Sequence, residues 1–534
     1  MINFFQELRS KIPAGRLSAP PIVWPVSVLV IAAVLRCVAW SNTALITPDG
    51  ASYIFQAKAV FYGQWDAIAD CIGFRFFSIY PFLIAAVYHF FPDWVIAARA
   101  INFSFGVAII IPLYLLLRQF FDHRISALAA LIVAVSPLFV GASVDVLRDP
   151  IAWFFSALGL YLFTSGLKED NNLFLLLSSV FFLLATWTKT EPVILFAISF
   201  GYLVWKERSI KKTLIFISPA MVIVALGLLM AFLKGSSIND LHKFDIMASR
   251  LLNSFSSYAE LNNELAALEK GVNGQAQMML KLFLPEARMN IWLVAAGMLL
   301  NRVLEAFMYV FAIPLLIGFG KMGRIKEDPR LSYFLLLAAF ALFAMYLFII
   351  QTWMLQYRYV VMFILPSIIF SGFGLESIIK WISMKYRLKE SFVIIILACV
   401  MVFCTLPKNM KDRDFDKIVF KEIGEFMVQR EGGNQREIKV SAPLEIYRWA
   451  SFYANLNYQG ATCFDGTKQT SWELFSKQRD LIEQLKQREI KYFLWTERTW
   501  NGRNADIKEH LHSLKELSRW THPDTGKIIL YEVI

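Results

Sequence analysis

Charge is what this sequence has least of. Asp, Glu, Lys and Arg make up 18% of its 534 residues, where soluble domains carry about 25%. With 57% hydrophobic residues, 47 of them phenylalanine, and a mean hydropathy of +0.50, the composition excludes an ordinary soluble domain and implies a chain solvated by lipid. Cysteine is sparse and unpaired. The five cysteines are odd in number and lack ligand spacing, which excludes a disulfide framework and a zinc motif. Cys37, Cys399 and Cys404 lie in apolar runs, where a thiol behaves as a small hydrophobe; Cys71 and Cys463 sit in loops. No glycine-rich phosphate loop occurs, and no Ser/His/Asp or Cys/His set. His89, His123 and His242 are scattered and suggest neither a metal cluster nor a triad. There is no inverted repeat and no pair of Gly/Pro-broken spans, which speaks against a secondary transporter. The N-terminus does not read as a cleavable signal peptide, because its apolar run is long, lacks a small-residue cleavage site and follows a polar segment. The net charge of +11 sits in short loops between apolar runs rather than on one face, so a nucleic-acid partner is not expected.

What is present is a series of long apolar runs. Residues 21–40 form the first span, close to the length a bilayer needs. The loop 42–93 carries two apolar stretches, 51–67 and 76–91, that read as interfacial helices. Further spans follow at 94–117, 125–142, 150–165 and 173–188, then one ending near 205 and one ending near 232. A polar segment, 234–290, has a helical middle around 257–269. Two spans flank the basic loop of Lys321, Arg324, Lys326 and Arg330, and two more, ending near 406, flank Lys380, Lys385, Arg387 and Lys389. The expectation is a polytopic α-helical membrane protein of about eleven spans. If 1–20 is cytoplasmic and 51–91 does not cross, every Lys/Arg-rich loop falls inside. The loops 42–93, 143–149, 189–192, 234–290 and 351–357 then fall outside with the C-terminal region. Residues 407–534 shorten their apolar runs and gain charge. Strand-like pieces at 437–440, 492–495 and 528–533 alternate with helical patterns such as 472–488. The expected division is a transmembrane part, 1–406, and a small extracytoplasmic α/β domain, 407–534.

Ionisable residues at the edge of a membrane are functional candidates because burying them is costly. Four outer pieces carry them: Asp49; Asp145, Arg148 and Asp149; Lys189 and Glu191; and Tyr357-Arg358-Tyr359. Each has a plainer reading. Asp49, between Pro48 and Gly50, suits a turn. Asp149 before Pro150 suits a helix N-cap, and Glu191 before Pro192 suits a helix N-terminus. Lys189 fits a snorkelling interfacial lysine, and Arg358 an anchor in an aromatic belt. Together they fit chemistry on a lipid phosphate. A carboxylate takes a proton from an acceptor hydroxyl, and cations hold the departing phosphate.

The same pieces resemble a known family. Pro48-Asp49-Gly50-Ala51-Ser52-Tyr53, Tyr80-Pro81-Phe82-Leu83-Ile84-Ala85-Ala86 with Ala97-Ala98-Arg99, the stretch from Asp145 to Pro150, Trp187-Thr188-Lys189, and Tyr357-Arg358-Tyr359 with Pro366 are similar in order and spacing to the C-type membrane glycosyltransferases. Within these the likeness is to the protein-mannosyltransferase-like and aminoarabinose-transferase-like group, glycosyltransferase family 39. The resemblance implies an enzyme that moves a sugar, with inversion, from a polyprenyl-phosphate donor to an acceptor glycan, lipid or protein. The reaction would occur on the extracytoplasmic face of a bacterial plasma membrane. It implies Asp49 as the first-loop acid, Asp145 or Asp149 as the acid of the next outer loop, and Lys189, Arg358 and Arg148 as phosphate contacts. Tyr53, Glu191 and Tyr357 are further site candidates. Many members carry Asp-Glu where this chain has Asp49-Gly50, so a divalent metal, if one binds, would fall to Asp49 and Asp149. The alternatives are a transporter or lipid flippase, and a non-catalytic membrane protein that displays the C-terminal domain.

Overall fold

The computed structural model describes residues 22–70, 78–234, 242–271, 278–321, 323, 328–433, 436–462, 481–500 and 513–534. The basic N-terminal segment, Cys71, Cys463, Arg324, Lys326 and most of the 472–488 pattern lie outside the described residues.

Among the described residues, seven helices are long and apolar enough to cross a membrane, or eight if one bent pair counts as a single span. They are Val23–Ser41, Trp94–Leu117, Asp149–Lys168, Ile210–Leu229, Arg330–Thr352, Tyr357–Tyr386 and Glu390–Asn409, with the bent pair His123–Val135 and Pro137–Val144. Three stretches expected as spans are shorter or interrupted. Asn172–Thr188 has 17 residues. Val193–Tyr202 runs on into a single π-turn. The span expected before the basic loop of Lys321 and Arg330 is divided into Ile291–Ala306 and Ala312–Phe319, with Met308 and Tyr309 in the left-handed region between them. The outward faces are apolar, as lipid requires: Met221, Val222, Ile223, Val224 and Leu226 on Ile210–Lys234 are each more than half exposed.

The bent pair turns by 56° at Ser136-Pro137, where proline breaks the backbone ladder. The freed carbonyls find partners inside the bundle. Arg36, fully buried in Val23–Ser41, donates to the Ala134 carbonyl at 3.0 Å and to Ser143 Oγ at 3.1 Å. Asn409 donates to the Val135 carbonyl at 2.8 Å. A mid-span arginine therefore completes a broken helix, as backbone at membrane depth requires.

The loop after the first span holds Pro48–Phe61 and Ile79–Tyr88. At 14 and 10 residues, neither is among the helices long enough to cross. Their apolar faces are covered by the C-terminal part: Ile46, Ile54, Phe55 and Tyr80 share one core with Phe420, Ile423, Ile446, Tyr447 and Phe452. That part is a four-stranded sheet with helices Ile418–Arg430 and Leu444–Ala454 beside it. The strands are β1 (Val440–Ser441), β2 (Tyr492–Thr496), β3 (Leu514–His522) and β4 (Gly526–Val533), in the order β1-β2-β4-β3. β1 pairs parallel to β2, and the other pairings are antiparallel. β3 escaped the sequence reading because its outward residues, Lys515, Glu516 and Arg519 among them, dilute the apolar signal. In the segment 234–290, the helix His242–Gly271 is longer than its expected middle and is followed by Met278–Met289. Arg288 ties the two through Asn262 and Glu269 at 3.2 and 2.8 Å.

Candidate active site

The Asp49 end of the first-loop helix is built by a cap. Thr47 is the N-cap, its hydroxyl accepting from the Gly50 amide at 3.3 Å, and Pro48 opens the helix. This is the arrangement that orphan N–H groups and a fixed proline φ favour. Asp49 therefore lies in the first turn, where the helix dipole favours an anion. The loop before Asp149–Lys168 presses against it. A Cβ at Gly50 would stand 2.7 Å from Val146 Cβ, so only glycine lets the loops meet this closely.

Asp145 makes that junction. Its Oδ1 accepts from the Thr47 amide at 3.0 Å and the Val146 amide at 2.7 Å. Asn102 donates to its carbonyl at 2.5 Å, and Arg99 holds the Leu45 carbonyl at 2.9 Å. Burial raises the Asp145 carboxyl above the usual range, opposed by those two amides and Arg99. Asp145 is turned to backbone, away from the charged cluster.

The cluster forms around Asp149. It is 1% exposed, and its Oδ1 accepts from Lys189 Nζ at 2.8 Å. Its Oδ2 faces Arg358 Nη1 at 3.7 Å. Asp149 is the first residue of its helix with Pro150 second, and its side chain makes no cap; the N-cap reading gives way to an ion pair formed 40 residues along the chain. Lys189, at the end of Asn172–Thr188, also meets Glu191 at 3.3 Å and the face of Tyr359 at 4.5 Å. Burial opposes its charge, yet Asp149 and Glu191 hold its ammonium above the ordinary lysine value. The two carboxylates thus favour the charged form of Lys189.

Arg358 lies on the 3-10 turn Tyr357–Val360 and joins the two acids. It donates to Asp49 Oδ2 at 3.0 Å and to Gln356 Oε1 at 2.6 Å. Arg148 lies over the Tyr53 ring, 5.7 Å from its centroid, and burial pushes the Tyr53 hydroxyl up to about 12. The structure thus gathers Asp49, Tyr53, Arg148, Asp149, Lys189, Glu191 and Arg358. It leaves Tyr357 aside: that ring packs under Arg302 at 4.9 Å, and Tyr359 takes the place beside Lys189. One residue was not legible in sequence. Arg448, from Leu444–Ala454, has Nη1 3.7 Å from Asp49 Oδ1, and its local sequence carries no sign of a site.

A divalent metal does not fit Asp49 and Asp149 as they stand. Both carboxylates face the same guanidinium, and Asp149 also binds an ammonium, so an ion between them would oppose two cations. Among the described residues, Asp416, His522 and Asp524 are near enough to share an ion. There the Asp524 amide donates to His522 Nδ1 at 3.3 Å. Nε2 faces Asp416 at 3.9 Å, beyond hydrogen-bond reach, and makes no hydrogen bond.

A family profile described as dolichyl-phosphate-mannose-protein mannosyltransferase matches residues 79–232, the stretch that carries Asp145, Asp149 and Lys189. ArnT from Cupriavidus metallidurans, solved bound to undecaprenyl phosphate, superposes with a TM-score of 0.59 at 13% identity, over 96% of this chain and 98% of that one. The chain has the GT-C glycosyltransferase fold. The Archaeoglobus fulgidus oligosaccharyltransferase is similar to this chain with a TM-score of 0.57 at 13% identity, over 95% of this chain and 74% of that one. AglB from the same organism, in complex with an inhibitory peptide and a dolichol-phosphate, gives 0.52 at 13%, with the same coverage. Among curated proteins none matches the chain. The profile and the fold together support an integral-membrane glycosyltransferase.

Proposed function

We propose that the chain is an inverting glycosyltransferase that takes a sugar from a polyprenyl-phosphate donor on the extracytoplasmic face of a bacterial plasma membrane. The observation that carries this is the buried Asp149–Lys189–Arg358 cluster opening at Asp49. It is supported by the GT-C fold and by lipid phosphates in two similar structures. The placement of lysines and arginines supports the orientation.

In this reading Lys189 and Arg358 hold the donor phosphate, with Arg148 and Tyr53 lining the approach. The acceptor hydroxyl attacks the anomeric carbon on the face opposite the phosphate. The new C–O bond forms as the bond to the phosphate oxygen breaks, and that electron pair leaves with the lipid phosphate. The hydroxyl proton goes to Asp49. Because phosphate is a good leaving group, no general acid is needed, unlike glycoside hydrolysis. Asp149 and Glu191 orient the cations, and Asp145 holds the Thr47 cap that sets Asp49. Residues 407–534 form the extracytoplasmic part that covers this loop and shapes access for the acceptor.

The test is sugar release from a radiolabelled panel of polyprenyl-phosphate sugars by protein in nanodiscs, with water as a weak acceptor. Asp49→Asn is expected to lower release by about a hundredfold or more, the scale of a lost general base, while melting as the wild type does. A well-folded variant that turns over at the wild-type rate would remove Asp49 from the mechanism.

A further inference from the structure

This inference rests on the glycosyltransferase reading. The cations at the site divide into two sets. The inner ones are held in place by carboxylates and an amide: Lys189 by Asp149 and Glu191, and Arg358 by Asp49, Gln356 and Asp149. Arg448 differs. It comes from the C-terminal part, its side chain is 39% exposed, and it faces Asp49 from the open side. Its nearest carboxylate oxygen is 3.7 Å away, beyond hydrogen-bond reach. Asp49 is already oriented by Arg358 through the other oxygen, at 3.0 Å.

The helix that carries Arg448 is anchored. Trp449 donates from Nε1 to the Ile46 carbonyl at 2.8 Å and stacks on Phe420 with the rings 5.5 Å apart. Ile46 lies three residues before Asp49, so the anchor ties Arg448 to the acid it faces. A guanidinium is a planar fork matched to carboxylate and phosphate oxygens. Here the fork is held over the oxygen of Asp49 that Arg358 leaves open. A hydroxyl arriving at that oxygen would lie beside Arg448.

We propose that Arg448 is a specificity-determining residue that binds an anionic group, phosphate or carboxylate, carried by the acceptor close to the hydroxyl that receives the sugar. The inner cations serve the donor phosphate, and the outer one serves the second substrate. The C-terminal part thereby contributes a side chain to the site as well as covering it.

The experiment uses the full chain in nanodiscs with a polyprenyl-phosphate sugar that wild type turns over. Three acceptor probes of similar size are compared: glycerol, glycerol 3-phosphate and glycerate. Wild type is expected to favour one or both anionic probes over glycerol by about tenfold or more in kcat/KM, the scale of a charged hydrogen-bonded contact. The phosphate and carboxylate arms show which anion the site takes. Arg448→Gln should erase the ratio, mainly through KM, and Arg448→Lys should restore part of it. A wild type without anion preference overturns the proposal. So does an Arg448→Gln variant whose rates with all three probes fall together, which would make Arg448 a support for Asp49 instead. Failure of wild type to consume any donor would sink the glycosyltransferase reading and this inference with it; turnover without anion preference sinks the inference alone.

Discussion

Asp149 and Lys189 are 1% and 5% exposed by side chain, and such a pair behaves asymmetrically. Breaking it leaves a buried charge without its partner, which costs about 3–5 kcal/mol, whereas replacing both partners with apolar groups is often near neutral. Lys189→Met alone is therefore expected to lower the melting temperature in detergent sharply. Adding Asp149→Leu should return much of that loss while activity stays absent. A double variant as unstable as the single one would show that Asp149 is balanced chiefly by Arg358. Gly50 belongs to the same scale. The resembling family often has glutamate there, but in this chain a side chain at 50 would meet Val146 Cβ at 2.7 Å and its carbonyl oxygen at 2.9 Å. The departure from the family pattern is thus matched by a closer contact between two loops.

At the scale of the element, the helix Pro48–Phe61 links the site to the C-terminal part. Near its end Lys58 is fully buried. Its ammonium donates to the Asn455 and Leu456 carbonyls at 2.9 and 3.1 Å and faces the rings of Phe55 and Tyr458. Burial pulls its pKa down from 10.5 to about 7. Above about 7 the folded state sheds a proton that the unfolded chain keeps until about 10.5. Stability from this group therefore rises with pH across that window, and its penalty is full below it. Thermal unfolding measured at the two ends of the window should show this gain in wild type and not in Lys58→Met. An equal gain in the variant would assign it to other groups.

At the scale of the whole molecule, the last span and the first loop are zipped together. The Asn42 side chain donates to the Met410 carbonyl at 2.8 Å, and the Arg413 amide donates to the Asn42 carbonyl at 2.9 Å. Beyond this seam, Phe55 meets Phe452 edge to face, with centroids 5.5 Å apart. Residues 418–454 complete a core that the first-loop helices cannot close alone. A chain ending at Asn409 would expose Ile46, Ile54 and Phe55 to water, a loss of about 1.5–3 kcal/mol for each large side chain. Such a truncation is expected to fail to accumulate as a monodisperse membrane protein in size-exclusion chromatography. A truncation that elutes and melts as the full chain does would make residues 410–534 a separable appendage.

The sequence by itself determined the membrane class, because apolar runs of bilayer length have no other stable solvent. It also determined that the first loop breaks into short helices, since Pro48, Asp49 and the polar breaks after them shorten the runs. The loops that hold Asp49, Asp149, Lys189 and Arg358 were legible because charge at a membrane edge is costly enough to be conspicuous. What that signal could not do was sort the acids. Asp145 and Asp149 are four residues apart in one loop, yet one is turned to the Thr47 amide and the other to Lys189. Only the approach of partners 98 and 40 residues distant decides which is which. The same holds for Arg36, which reads as a lone charge in a span until the break at Pro137 frees the Ala134 carbonyl beside it. It holds again for Arg448, an ordinary arginine on an amphipathic helix until packing sets it over Asp49. Hydropathy is a local, additive property and survives in a string of residues. The pairing of buried charges depends on which backbone and side-chain groups arrive opposite one another, and that is settled only when the chain has closed on itself.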